Sequence, residues 1–238
     1  MLSKIIKGNT IFGTEPIKKF ANCHEFDVIQ DNLNGFLLVK NNSEIYLWNY
    51  HTGHKYNYHR IKLEFGGKYF FKQIESFDQN NIKQAKYIRK SVLNYFKSFD
   101  HSNSIIGIGG EYYIYFPFLS YNKYYGISNH GSIVSDANYN CPKSENYLAD
   151  YNKIKSFPKL NEELSFDVIV NVVNIHENII KYICNFNVKN IIIVTCVPLD
   201  KKIKMLNKYL KLKKITHVEN INSLITICVF NKLIGSFN

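Results

Sequence analysis

The chain has 238 residues, enough for one well-buried domain and a smaller lobe. Hydrophobic residues make up 45% and charged residues 21%, which excludes a disordered chain, and no apolar run of about 18 residues suggests a membrane span. The net charge of +11 makes nucleic acid the first partner to consider, although heavy use of Lys, Asn, Ile and Tyr also has the plainer cause of an AT-rich coding sequence.

Residues 1–80 are expected to form a small, mostly β lobe. FDVIQD, GFLLVK, EIYLWNY and KYFFKQI read as short strands broken by Asn, Asn-Ser and Gly-Gly. Within this lobe, Trp48 to Arg60 (WNYHTGHKYNYHR) interleaves aromatic and basic groups. Such a stretch can stack on bases and neutralise phosphates, which makes Trp48, Tyr50, Lys55 and Arg60 candidates for RNA contact. The same composition also suits a tyrosine-rich hairpin with no ligand. The opening MLSKIIKGNT is too short and polar to read as a secretory signal.

Residues 81–238 are expected to form an α/β domain led by a helix. Ile82, Ala85, Ile88, Val92 and Phe96 recur at helical spacing over residues 81–98, with lysines and Arg89 around them. Strands and helices then alternate. Strands are expected at Ser104 to Gly109, Tyr124 to Ser128, Tyr147 to Leu148, Phe166 to Val173 and Asn190 to Cys196. Helices are expected at Ile133 to Asn140, Glu177 to Phe186 and Leu199 to Leu212. Continuous apolar strands such as DVIVNVV and IIIV suit a parallel sheet covered on both faces. The chain then reads ITHVENI and LITICVF, too close together for a crossover helix, so they form an antiparallel hairpin.

The five cysteines, Cys23, Cys141, Cys184, Cys196 and Cys228, are odd in number and lack CxxC or metal-like spacing. An intracellular, reducing compartment is expected and a metal site is not. His51, His54 and His59 have no cysteine near them to complete a metal site.

Four segments, in order, resemble the S-adenosylmethionine-dependent RNA uracil-5 methyltransferases, which have the class I methyltransferase fold. In SFDQNNIKQAKYI, the residues Phe77, Gln79, Asn81, Gln84 and Ala85 match the family's pattern directly before its cofactor domain. IIGIGGEYY, followed by YYGISNHGSIVSDANYN, matches its strand, glycine loop and second strand. FDVIVNVV and NIIIVTCVP match its fourth and fifth strands, with Thr195-Cys196-Val197-Pro198 standing where the family has Ser-Cys-Asn-Pro. The terminal hairpin carries His217-Val218-Glu219, similar to the family's His-Val-Glu. Cys23 is weakly similar to a cysteine found in the family's N-terminal region.

The resemblance implies a Rossmann-like sheet closed by an antiparallel hairpin, with S-adenosylmethionine as cofactor and uridine of tRNA or rRNA as substrate. Cys196 would be the nucleophile and Glu219 the base. Gln79, Gly109, Gly110, Ser128 and Asp150 would line the cofactor, and Phe77 the RNA. The chemistry explains the residue types. Carbon 5 of uracil becomes nucleophilic once a thiolate adds to carbon 6, and a carboxylate then removes the carbon 5 proton.

The sequence also departs from the pattern. Gly107 stands where an acidic residue precedes the loop, Glu111 replaces the third loop glycine, and Ser128 replaces the acid that holds the ribose hydroxyls. Val172-Val173-Asn174-Ile175 stands in place of Asp-Pro-Pro-Arg, and Glu219 lies within the sixth strand rather than at the start of the seventh. The departures support a second expectation: a catalytically inactive, methyltransferase-like protein that binds RNA or a protein partner in a larger complex.

Overall fold

The computed structural model describes residues 4–6, 17–18, 20, 28–31, 36–41, 44–57, 60–73, 76, 82–100, 102–161, 163–196, 200–220 and 223–233. The chain divides into two compact units, Met1–Ala85 and Lys86–Asn238.

The first unit contains a five-stranded antiparallel sheet in the order β1-β2-β3-β4-β5. Its strands are β1 (Lys4–Ile6), β2 (Val28–Asp31), β3 (Phe36–Asn41), β4 (Glu44–Asn49) and β5 (Lys55–Asn57). Ile17, Phe20, Leu37, Val39 and Tyr46 form its small core. The β4–β5 turn is built by Asn49, whose Oδ1 accepts the N–H groups of His51 at 2.9 Å and Thr52 at 3.0 Å. A separate hairpin joins β6 (Ile61–Phe65) to β7 (Lys68–Lys72). Its two-residue turn is Gly66-Gly67, with φ of 58° and 73°, the left-handed pair that a tight hairpin demands.

The second unit is a seven-stranded sheet in the order β10-β9-β8-β11-β12-β14-β13. The strands are β8 (Ser104–Gly109), β9 (Lys123–Ser128), β10 (Glu145–Leu148), β11 (Ser165–Asn171), β12 (Asn187–Thr195), β13 (Leu210–Asn220) and β14 (Ser223–Lys232). The first five are mutually parallel, and β14 runs antiparallel to both β12 and β13. The helices are α1 (Ile82–Lys97), α2 (Tyr112–Tyr115), α3 (Gly131–Asn140), α4 (Glu177–Cys184) and α5 (Asp200–Leu206). Every residue of β8 is buried, as a central parallel strand requires. On α1 the inward stripe of Ile88, Val92 and Phe96 is buried, and so is Arg89.

Several boundaries differ from expectation; β12, for one, begins at Asn187 rather than Asn190. The helix expected over residues 199–212 ends at Leu206, and β13 begins at Leu210. Leu206 and Leu210 fit a helical stripe, but Leu210 pairs with Lys232 of β14, so the hairpin takes the segment. The fourth strand ends at Asn171, two residues before the expected Val173.

At the amino ends of the strands, buried Asp167 gathers three segments. Its carboxylate accepts Ser102 N and Oγ, both at 3.1 Å, Tyr121 Oη at 2.8 Å and Asn190 Nδ2 at 2.8 Å. Among the described residues no helix is long and apolar enough to cross a membrane.

Candidate functional site

In a doubly wound sheet the ligand crevice opens outside the carboxyl ends of the strands, where the strand order reverses. Here that point lies between β8 and β11. Gly109 ends β8 at φ +99°, and a Cβ on it would stand 2.0 Å from the Asn171 carbonyl oxygen, so only glycine fits. The Gly110 N–H donates to the same carbonyl at 2.7 Å, joining the ends of β8 and β11.

Glu111 follows with φ 58°, the one non-glycine residue with positive φ among those described. Its carboxylate accepts Arg89 Nη2 of α1 at 2.6 Å, and the two side chains are only 2% and 5% exposed. A left-handed position that favours glycine is thus occupied by a glutamate whose charge is matched inside the protein. The helix after the loop, α2, has a single turn, and all four of its residues are buried.

Tyr112 explains Gly107. Gly107 and Gly126 are register partners on β8 and β9. A Cβ on Gly107 would stand 2.5 Å from Tyr112 Cβ, and one on Gly126 would stand 2.3 Å from Tyr112 Cε2. The ring therefore lies across both glycines, and its hydroxyl donates to Asn146 Oδ1 at 3.2 Å. Burial pushes the Tyr112 phenol well above its ordinary pKa, so it stays protonated. The place where an acidic residue would precede the loop is covered by this ring.

Ser128 ends β9 fully buried, and its Oγ accepts the His130 N–H at 3.2 Å. Asp150, just beyond β10, is partly exposed. Its Oδ1 accepts Asn152 N at 3.0 Å, and Lys153 Nζ lies 3.4 Å from Oδ2. The Asn152 N–H, with Lys153 beside it, holds the Asp150 carboxyl below the ordinary carboxylate value.

On the other side of the crevice, Cys196 directly follows the last residue of β12 and is half-buried, outside any disulfide. Thr195 beside it is buried, and its Oγ1 donates to the Val173 carbonyl at 3.1 Å. Thr195 pairs with Thr226 of β14, which in turn pairs with His217 of β13. The backbone of Glu219 pairs with Leu224, so β14 separates it from β12. Its Cα lies about 9–10 Å, two strand spacings, from the β12 line.

No protein-family profile matches the chain. A curated protein of Ureaplasma parvum serovar 3, itself uncharacterized, is 25% identical over 169 residues, which is 68% of this chain and 53% of that protein. The chain therefore spans about half the length of this relative. Among solved structures, the tRNA (uracil-54, C5)-methyltransferase of Pyrococcus abyssi, in complex with S-adenosyl-L-homocysteine, superposes with a TM-score of 0.60 at 13% identity. That match covers 90% of this chain and 61% of the enzyme. The protein aTrm5, in complex with tRNALeu, gives a TM-score of 0.55 at 14% identity, covering 79% of this chain and 56% of its own.

The fold is that of the class I methyltransferases. In that frame β8, β9, β10, β11 and β12 are its first five strands, and the β13–β14 hairpin supplies the sixth and seventh. At these identities the likeness fixes the fold alone, and one fold hosts many chemistries.

The remaining expected residues fall elsewhere. Phe77 and Gln79 lie outside the described residues. In the first unit, Trp48 is half-buried and meets Phe20 edge-on, with ring centroids 4.9 Å apart. Tyr50 and Arg60 are half-buried, and exposed Lys55 places its Nζ 4.4 Å from the Tyr46 ring centre.

Two features of the crevice were missed from sequence. One is the Arg89–Glu111 pair, for which no signal stood out. The other is the Tyr112 cover, which two glycines inside apolar strands do signal, since a strand glycine often marks a close approach.

Proposed function

We propose that the chain is a divergent RNA methyltransferase of the uracil-5 type, acting on uridine in tRNA or rRNA with S-adenosylmethionine. The observation that carries this reading is half-buried Cys196 at the carboxyl end of β12, on the edge of the sheet that also holds the Gly109–Gly110 loop. The likeness in fold to a tRNA uracil-5 methyltransferase supports it.

The loop is compatible with an adenosyl group. Gly109, where a Cβ would strike the Asn171 carbonyl oxygen, keeps the loop backbone close against the end of β11, and Asp150 offers a carboxylate toward the adenine side. Gln79 and Ser128 complete the proposed set. When bound, S-adenosylmethionine supplies an electrophilic methyl group. The thiolate of Cys196 adds to carbon 6 of the uracil, forming an S–C bond and an enolate. Carbon 5 would take the methyl group with release of S-adenosylhomocysteine, a base would remove the carbon 5 proton, and the bond to Cys196 would break to return the thiolate.

Glu219 is the proposed base. Its position across β14 requires the uracil to lie over that strand. A uridine in paired RNA must leave its stack to reach the crevice. The net charge of +11 favours RNA as partner, with Phe77, Trp48, Tyr50, Lys55 and Arg60 as proposed contacts.

Calorimetry of the whole chain with S-adenosylmethionine tests the first step, and absence of heat at high micromolar protein would sink the enzyme reading. RNA carrying 5-fluorouridine should then trap a covalent adduct, because fluorine cannot leave as a proton does. An adduct that survives Cys196→Ala would reject the nucleophile.

A second reading is a catalytically inactive RNA- or protein-binding subunit. It is favoured by the Tyr112 ring, which covers the Gly107 position where an acidic residue would stand. It predicts salt-dependent RNA retention in a gel shift with no heat from S-adenosylmethionine.

A further inference from the structure

One side chain in the crevice has no part in the chemistry above. Tyr151 follows Asp150, yet where Asp150 meets solvent, Tyr151 is only 4% exposed. Its ring packs against Phe157, with centroids 6.0 Å apart and planes 23° apart, and against the His176 ring at 6.1 Å. Its hydroxyl donates to the Ile127 carbonyl at 3.3 Å. Burial pushes the phenol up to about 12, opposed in part by the Ser128 side chain and by the backbone of Asn129 and Gly109, which favour its ionised form.

These neighbours are the carboxyl ends of β8 and β9. They comprise the first loop glycine on one side and, on the other, the serine that stands where the ribose hydroxyls would be held. A phenol hydroxyl and a ribose hydroxyl have the same hydrogen-bonding capacity, one donor and acceptor lone pairs. Two such oxygens cannot share one set of partners in a packed crevice.

We propose that Tyr151 is an internal competitor for the ribose of an adenosyl ligand, so that its displacement sets the affinity of this crevice. The inference rests on reading the crevice as an adenosyl site. In the Tyr151-in arrangement the ribose position is filled, and a ligand binds only the fraction of molecules with the ring withdrawn. Observed affinity falls by that fraction. Shortening the side chain removes the competition and leaves the Gly109–Gly110 loop and Asp150 untouched.

The test is calorimetric titration of the full chain and of Tyr151→Ala and Tyr151→Phe with S-adenosylhomocysteine. Thermal unfolding first establishes that each variant is folded. Tyr151→Ala is expected to bind about tenfold more tightly or better, as removal of a mostly populated competitor implies. Tyr151→Phe keeps the ring but loses its anchor at Ile127, so a smaller gain is expected. It decides the matter alone if the alanine variant does not fold.

A wild-type chain that binds, with variants that bind equally or more weakly, overturns the competitor and leaves the adenosyl reading standing. Binding by the variants but not by the wild type supports the competitor and removes cofactor binding by the natural chain. No binding by any folded variant defeats both. Adenosine should share the gain and adenine should not. An equal gain for adenine would overturn the assignment to the ribose.

Discussion

The two ends of the seven-stranded sheet solve the same problem in opposite ways. At the amino ends, Asp167 takes four hydrogen bonds from Ser102, Tyr121 and Asn190, which leaves little acceptor capacity for a ligand. At the carboxyl ends, the Tyr151 hydroxyl donates to the Ile127 carbonyl at 3.3 Å beside Gly109 and Ser128, a bond that on the proposed reading an incoming ligand replaces. Polar groups at one end fix the fold. Those at the other, on the proposed reading, hold a place that a ligand hydroxyl can take. The difference shows that burial and hydrogen bonding alone do not mark a site; what marks it is whether the partners are replaceable.

Substitutions at the two ends should separate these roles. Asp167→Ala should have the largest effect, about 4–5 kcal/mol of stability in urea unfolding, because several buried donors lose their acceptor together. Its surviving folded fraction should bind S-adenosylhomocysteine unchanged, and a tenfold loss would erase the distinction between the ends.

Arg89→Met should cost about 3–4 kcal/mol by leaving the buried Glu111 charge unmatched. Adding Glu111→Gly should recover most of that, since it removes the orphaned carboxylate and suits φ 58°. No recovery in the double variant would show that the pair is not a closed local unit.

Gly109→Ala should cost about 2–3 kcal/mol, from positive φ and from crowding on the Asn171 carbonyl. Unlike the change at Asp167, it should also abolish ligand heat in calorimetry. Tyr112→Phe should be the mildest, about 1 kcal/mol in thermal unfolding, because only the bond to Asn146 is lost while the ring still covers both glycines.

The sheet was legible because its central strands are continuous apolar runs, and Ser104–Gly109 matches its predicted limits. The terminal hairpin followed from chain length alone, since two strands so close together leave no room for a crossover. The helix–strand boundary near Leu206 and Leu210 was not legible, because spacing by four serves a helix stripe and spacing by two serves a strand, and only pairing to β14 decides. Gly109 and Cys196 could be placed at strand ends from pattern. The bonds of Tyr151 to Ile127 and of Arg89 to Glu111 could not, because they join residues far apart in sequence, and the strand glycines signal a close approach without saying that Tyr112 makes it. Tyr151 in particular stands beside Asp150 and reads as an ordinary loop aromatic.

The Tyr112 ring also restricts which mutational histories are open to this chain. Introducing a carboxylate at position 107 in one step would force its Cβ to 2.5 Å from Tyr112 Cβ. Gly126 imposes the same condition from the neighbouring strand, so position 112 must shrink before 107 can grow. A smaller residue at 112 opens a void between two strands with nothing yet to fill it. The first step is therefore a loss, and a carboxylate at 107 is reached by single changes only across it.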